Sequence, residues 1–375
     1  WRHLECWYGL SGIGAVCHTL NPRLFPEQIE YIINHAQNRF IFVDTSFVPV
    51  IANVLDKLPT LEGLVVMTDK EHMTDDMREI GIPVYCYEEL LEVEAKAFVW
   101  PLFSDDTASS LCYTSGTTGN PKGVLYSHGS NQNHAMVSAH GDVFDLKAKD
   151  SFLLIVPMFH ANGWGLPHSV PMVGGKLVLP GPFMDGKSLH EIIKAEDCNK
   201  TCAVPTVMTI LLDHLEGNNL QIPSMSEIYI GGSAVPQSMI ESFEAGYDVD
   251  VNHGWGMTET VVGTFNCHLP FMDKLNFEQR MKVRSKQGRP PFGMELKIVD
   301  DEGNSLPHDG VAFGKLMVRG PRVIESYYKS NESAVDSEGW FDTGDVSTID
   351  KHGFMQITDR AKDIIKSGGE WISSV

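Results

Sequence analysis

Hydrophobic and polar positions along the chain fall into two recurring patterns. Short β-branched or apolar runs at Phe40–Val43, Gly63–Met67, Ser110–Tyr113, Phe152–Val156, Lys176–Leu179, Thr201–Val204 and Glu227–Ile230 have the length and composition of strands. Longer segments of helical period lie between them. Pro26–Ala36 has Pro at its first turn and Ile29, Ile32, Ile33 and Ala36 on one face, and Leu189–Ala195, Thr206–Leu215 and Gln237–Ala245 repeat the arrangement. Strands alternating with helices predict an α/β protein with largely parallel sheets and helices packed on their faces. The texture changes after about Met281. Glu295–Asp300, Gly314–Arg319 and Gly353–Thr358 are short strand candidates broken by Gly, Pro and Asp, which predicts a small β-rich subdomain. The expected division is a layered part over 1–285 and a β-rich part over 286–358.

Composition narrows the class. With 375 residues, 42% of them hydrophobic, plus 34 Gly, the chain can bury a substantial core, which excludes disordered and collagen-like architectures. Lys and Arg total 29 against 49 Asp and Glu, a formal charge of −20 that opposes binding to phosphate backbones or anionic lipid, so no nucleic-acid partner is expected. No apolar run reaches the ~18–20 residues of a membrane span, and Trp1-Arg2-His3 opens no signal-peptide pattern. A cytoplasmic protein without stable membrane insertion is expected. The seven cysteines are odd in number and mostly embedded in apolar segments, as reduced core thiols would be. Cys198 and Cys202 have no second Cys or His pair nearby, so no zinc site is expected there. A start without Met and a stop at Ser374-Val375 read as an excerpt of a longer protein.

The strongest local signal is Tyr113-Thr-Ser-Gly-Thr-Thr-Gly-Asn-Pro-Lys-Gly-Val124, which follows a strand and holds four Ser/Thr hydroxyls, three glycines and one lysine. A polyphosphate needs many donors close together. Gly116 and Gly119 let backbone N–H groups approach its oxygens, Thr114, Ser115, Thr117 and Thr118 add hydroxyls, and Lys122 adds a point charge. It is not a Walker loop, because Lys122 follows Pro121 and precedes Gly123. The plainer alternative is a polar hairpin linker.

Four further motifs occur downstream: Gly231-Gly-Ser-Ala-Val-Pro236, Gly254-Trp-Gly-Met-Thr-Glu-Thr260, Gly339-Trp-Phe-Asp-Thr-Gly-Asp345, and Asp359-Arg-Ala-Lys-Asp-Ile-Ile-Lys-Ser-Gly-Gly-Glu370. Together with the loop at 113–124, and in this order, they resemble the adenylate-forming (AMP-binding) superfamily, which includes acyl-CoA synthetases, luciferases and peptide-synthetase adenylation domains. The resemblance runs along essentially the whole chain. It implies two αβα-layered sheet subdomains followed by a small β-barrel-like subdomain, the large N-terminal domain of that fold. Residues 359–375 would then be a hinge and the start of a small mobile C-terminal domain carrying an adenylation lysine, and a further segment would precede Trp1.

Each motif also has a chemistry of its own. Trp255, between Gly254 and Gly256, offers a flat face on which an adenine could stack, with Gly231 and Gly232 permitting close approach on the other side. The resemblance adds Ser233, His253, Met257 and Lys366 to the nucleotide site, and it places Thr258 on the α-phosphate. It also makes Glu259 and Thr114 the Mg²⁺ ligands; alone, Glu259 would read as a surface carboxylate. Asp345, after Thr343-Gly344, reads as a turn residue or as the acceptor for the ribose hydroxyls. Arg360 resembles a second ribose contact and Lys362 the family's hinge position.

A carboxylate attacking the α-phosphorus of ATP is an anion approaching a polyanion. Such a site needs positive charge and alignment more than an acid or base, and Lys122, Mg²⁺ and backbone donors suit it. No Gly-x-Ser-x-Gly elbow occurs, so no covalent enzyme intermediate is expected. Val156-Pro-Met-Phe-His-Ala-Asn-Gly-Trp164 resembles the gate of medium- and long-chain fatty-acyl-CoA synthetases, with Trp164 closing an acyl tunnel and His160 lining the acyl and adenylate site. Standing alone, both would be core residues. The resemblance implies ATP, Mg²⁺ and coenzyme A as cofactors, a carboxylic acid as substrate and a homodimer. A ligase of the 3-methylmercaptopropionate type is the neighbouring alternative. A truncated nucleotide- and acyl-binding module without full turnover is the more distant one.

Overall fold

The computed structural model describes residues 1–94, 97–114, 119–360, 365–367 and 370–372, with side chains described as far as Thr358. The chain divides into two compact units, Trp1–Gly129 with Tyr327–Lys329, and Ser130–Ser326 with Ser330–Val375. Two stretches of sequence therefore contribute to each unit.

In the first unit, Phe40–Val43, Gly63–Val66 and Val84–Cys86 form a parallel three-stranded sheet. The helix Pro26–Ala36 has the bounds its periodicity predicts, and it turns Ile29 and Ile33 onto Val43, Leu64 and Val66. Gln37, in the left-handed conformation at φ 55°, ends it, and the Asn38 N–H caps the Ile33 carbonyl. A second sheet pairs Cys17–Thr19 in parallel with Ala108–Tyr113, which pairs antiparallel with Gly123–Ser127.

The second unit is built on a six-stranded sheet. Its spatial order is Thr264–Phe265, Asp250–Trp255, Glu227–Ile230, Lys200–Ala203, Ser151–Leu154, Lys176–Val178, and every neighbouring pair is parallel except the first. Side chains alternate across a strand, and here both faces are apolar. Leu153, Ala203, Ile228, Ile230 and Val251 enter one core with Leu189, Ile193, Met208, Leu211 and Phe243 from helices. Phe152, Leu154, Cys202 and Tyr229 enter another with Phe144, Leu166 and Phe265. Burial on both faces makes these strands read as continuous apolar runs. Beyond the sheet, Glu295–Val299, Phe313–Arg319, Phe341–Ile349 and Met355–Arg360 form an antiparallel four-stranded sheet, over the region the sequence suggests is β-rich (286–358).

Boundaries move where capping decides them. The helix expected at Leu189 begins at Gly186, because the Asp185 carboxylate accepts the Ser188 N–H at 3.0 Å. The strand expected from Gly353 begins at Met355, since Gly353 at φ 83° belongs to the preceding turn. Among the described residues no helix is long and apolar enough to cross a membrane.

Candidate active site

In the first unit the phosphate-loop sequence connects two antiparallel strands, and its neck is closed twice. The Thr114 N–H donates to the Lys122 carbonyl at 2.9 Å, and the Lys122 N–H donates to Thr114 Oγ1 at 3.1 Å. The Thr114 hydroxyl oxygen proposed for metal thus already accepts one backbone donor. Gly119 adopts φ 141°, and among the described residues nothing lies within 4 Å of a Cβ placed there, so its conformation calls for glycine. Lys122 is exposed, has no carboxylate partner among the described residues, and holds its ammonium 4.6 Å from the centre of the Tyr327 ring. Ser115, Gly116, Thr117 and Thr118 lie outside the described residues.

In the second unit the other motifs share one edge of the parallel sheet. Val156–Trp164 follows the strand Ser151–Leu154, Gly231–Ser233 follows Glu227–Ile230, and Gly256–Glu259 follows Asp250–Trp255. These strands are parallel, so all three segments leave from carboxyl ends, the edge at which open α/β sheets bind ligands. They approach closely. A Cβ on Gly231 would lie 3.0 Å from the Gly254 carbonyl oxygen and 3.1 Å from the Trp164 ring. Gly232 and Ser233 are exposed at the edge, whereas His253 is buried and its Nδ1 donates to the Ser285 carbonyl at 2.9 Å. Burial also holds the His253 pKa below 6.5.

Trp255 differs from the open platform its sequence suggests. It is 9% exposed, and its Nε1–H donates to Asp345 Oδ2 at 2.9 Å, joining two motifs 90 residues apart. One flank of its ring lies against Gly263, where a Cβ would come within 2.2 Å. Gly263, which the motifs do not include, is therefore part of the tryptophan's seat. Gly263→Ala should force the ring to shift and cost about 1–3 kcal/mol of stability, read by thermal melting; an unchanged melting temperature would show that the ring does not pack there. Thr258 and Glu259 are buried at 8% and 6%, so Glu259 is not the surface carboxylate that an isolated reading gives. Gly256 and Met257 begin the turn that carries them, and the same turn places Val261, a β-branched residue, at φ 58°.

Asp345 is not at a tight turn. It lies inside the strand Phe341–Ile349 at 2% exposure, just after a kink at Gly344 (φ 71°), and its N–H donates to Thr343 Oγ1 at 3.1 Å. Its register partner on the neighbouring strand is Arg360. The side chains of Arg360 and Lys366, and the whole of Lys362, lie outside the described residues.

The gate segment has an unusual backbone. Ala161, Asn162, Gly163, Trp164 and Gly165 all have positive φ, between 37° and 75°, forming a left-handed turn. Such a conformation costs roughly 1–2 kcal/mol for each non-glycine residue. Burial of Ala161, Asn162 and Leu166, with Trp164 packed on the core around Phe144, offsets it. The His134 ring closes over the turn: its Nε2 is 3.1 Å from the Trp164 carbonyl, and a Cβ on Gly165 would lie 2.1 Å from it. A carbonyl only accepts, so Nε2 carries the proton, and burial keeps the ring neutral with a pKa near 4. Trp164 is half-buried, and His160 is exposed rather than a core histidine.

The sequence matches the model of the AMP-binding enzyme family over residues 1–328. The chain belongs to that family. It is 50% identical, along its whole length and over 68% of the relative, to a medium-chain-fatty-acid–CoA ligase of Ectopseudomonas oleovorans. It is also 50% identical over 376 residues to a 3-methylmercaptopropionyl-CoA ligase of Ruegeria lacuscaerulensis, covering 69% of that protein. A crystal structure of an anthranilate CoA ligase in complex with anthranoyl-AMP superposes with a TM-score of 0.84 at 24% identity, over 98% of this chain and 67% of the other. At that identity the likeness concerns the fold, and it bears out the AMP-binding architecture of layered sheets followed by an antiparallel one.

Proposed function

We propose that this AMP-binding enzyme activates a medium- or long-chain fatty acid with ATP and passes the acyl group to coenzyme A. The acid's carboxylate attacks the α-phosphorus, forming an acyl-adenylate and releasing pyrophosphate; the coenzyme A thiol then attacks the acyl carbon and releases AMP. The observation that carries the reading is the bond from the Trp255 indole to Asp345, which joins the adenine candidate to the ribose candidate at the edge where Thr258 and Glu259 emerge. The residues from Thr114 to Gly119, with Lys122, serve the phosphates. Gly231, Gly232, Ser233, Gly254, Trp255, Gly256 and Met257 frame the base, Thr258 meets the α-phosphate, and Asp345 with Arg360 holds the ribose. Lys362 and Lys366 keep the hinge and nucleotide roles that the motif implies. His160, exposed beside the gate, faces the reacting acid.

Among the described residues no cluster of three His, Cys, Asp or Glu could hold a metal by itself. That suits Mg²⁺ arriving with the nucleotide, with Glu259 as its protein carboxylate and phosphate and water oxygens filling the rest. When bound, Mg²⁺ neutralises phosphate charge. A cytoplasmic location and a homodimer complete the proposal.

The acid class rests on the fatty-acid relative at 50% identity, and the sulfur-acid relative at the same identity keeps a short sulfur-bearing acid as the second reading. Acid-dependent ATP–pyrophosphate exchange across straight-chain acids from butyrate to palmitate, beside 3-methylmercaptopropionate, separates them. Highest kcat/KM with octanoate or a longer acid supports the fatty-acid reading, and highest kcat/KM with the sulfur acid replaces it. If Trp164 gates the acyl path, Trp164→Ala should let fatty acid bind before nucleotide and remove any ATP-first order. A purely packing role would instead cost about 3–5 kcal/mol of stability and leave the order intact, so initial rates and melting on one variant decide.

A further inference from the structure

Arg322 lies in the second unit, on the turn that follows the strand Phe313–Arg319. It is 5% exposed, and its Nε and Nη2 are buried with no hydrogen-bond partner among the described residues. Among the described residues its side chain makes a long contact of 3.4 Å from Nη1 to the Phe292 carbonyl. Burial brings its pKa down to about 10, so at neutral pH it is a cation, and among the described residues it has no carboxylate partner. A buried charge in a folded protein is ordinarily paired, because leaving water costs more than one weak hydrogen bond returns.

The two empty atoms matter as a pair. Nε–H and one Nη2–H form the side-on fork of a guanidinium, which fits the two oxygens of a carboxylate or a phosphate. The chain uses this fork elsewhere. Arg39 grips Glu62 through Nε at 2.6 Å and Nη2 at 2.9 Å, and Arg319 grips Glu295 through Nε at 3.2 Å and Nη2 at 2.8 Å. In Arg322 the same edge is buried and unpaired among the described residues.

Its neighbours tie it to the site described above. Two residues further on, the Ile324 N–H donates to the Glu259 carbonyl at 3.1 Å, tying this turn to the Thr258-Glu259 motif. The charge of Arg322 also reaches His134, which holds the Trp164 carbonyl of the gate.

We propose that Arg322 is an oxyanion-binding residue of this site, its Nε/Nη2 fork closing on a carboxylate or phosphate of the bound ligand. Assigning that ligand as fatty acid or ATP rests on the function proposed above; the unpaired fork does not. None of the five motifs quoted above from this sequence includes this position.

The test uses Arg322→Met, which keeps an apolar stem, and Arg322→Lys, which keeps charge without the fork. Calorimetric titration with octanoate, with ATP and with inorganic pyrophosphate distinguishes a carboxylate from a phosphate source. Arg322→Met should weaken one of these ligands by roughly ten- to a hundred-fold, with Arg322→Lys in between. The ligand-free melting temperature should hold or rise in Arg322→Met, since an unpaired buried cation is removed; a residue needed only for folding would lower it. Unchanged affinities for all three ligands, or a fall in ligand-free melting that accounts for the lost binding, overturns the proposal. The two proposals fail separately. Normal exchange in Arg322→Met with unchanged affinities rejects the fork and leaves the function standing. Arg322-dependent binding in a wild-type protein with no exchange for any acid supports the fork and rejects the function.

Discussion

Lys122→Ala is expected to lower acid-dependent ATP–pyrophosphate exchange by about a hundred-fold or more, with little change in melting temperature. The reaction brings an anionic oxygen onto phosphorus surrounded by negative charge. A preorganised group aimed at developing charge is worth about 10²–10³ in rate when it is removed. Lys122 has the placement for this role. It is exposed, lacks a carboxylate partner among the described residues, and stands beside the Tyr327 ring on a loop whose neck is pinned by Thr114. Being exposed, its side chain contributes little to folding, so the loss should fall on kcat/KM. Exchange at the wild-type rate in Lys122→Ala would remove this loop from the chemistry.

Asp345→Ala should weaken ATP by roughly ten- to a hundred-fold, the worth of a charge-assisted hydrogen bond of about 1.5–3 kcal/mol, and leave pyrophosphate, which has no ribose, unaffected. A second effect follows from the bond the indole makes. Trp255 Nε1–H would lose its acceptor in a buried place, costing a further ~1–3 kcal/mol of stability. Asp345→Asn retains an oxygen for the indole and should recover most of the stability without the full affinity. Calorimetry with the two ligands and thermal melting of the two variants separate these effects. Equal weakening of ATP and pyrophosphate would leave Asp345 as a support for Trp255 and no more.

Much of the framework was legible in the sequence, because strands buried on both faces and a helix with one apolar face announce themselves over four to eleven consecutive residues. Pro26–Ala36 and Glu227–Ile230 are instances. The motif positions were legible too, since glycine, hydroxyl and carboxylate residues cluster within a few positions. What escaped depends on partners distant in sequence. Trp255 reads as an open platform until Gly263 and Asp345 close on it. Asp345 reads as a turn because Gly344 bends the chain, yet the strand continues through the bend. His160, which standing alone would read as core, is exposed, though its imidazole is close enough to protein for burial to lower its pKa. Arg322 sits in a turn with no periodic signal, and only its burial, with Nε and Nη2 unpaired among the described residues, sets it apart from a surface arginine.

The most direct test of the account is titration of this chain with a non-hydrolysable octanoyl-adenylate analogue, beside AMP and octanoate alone. An enzyme shaped for an acyl-adenylate should bind the joined molecule at least ~100-fold more tightly than either part, because linking them spares the cost of ordering the second. The account predicts saturable one-to-one binding of that strength, lost in Asp345→Ala. Binding no tighter than AMP alone would contradict it.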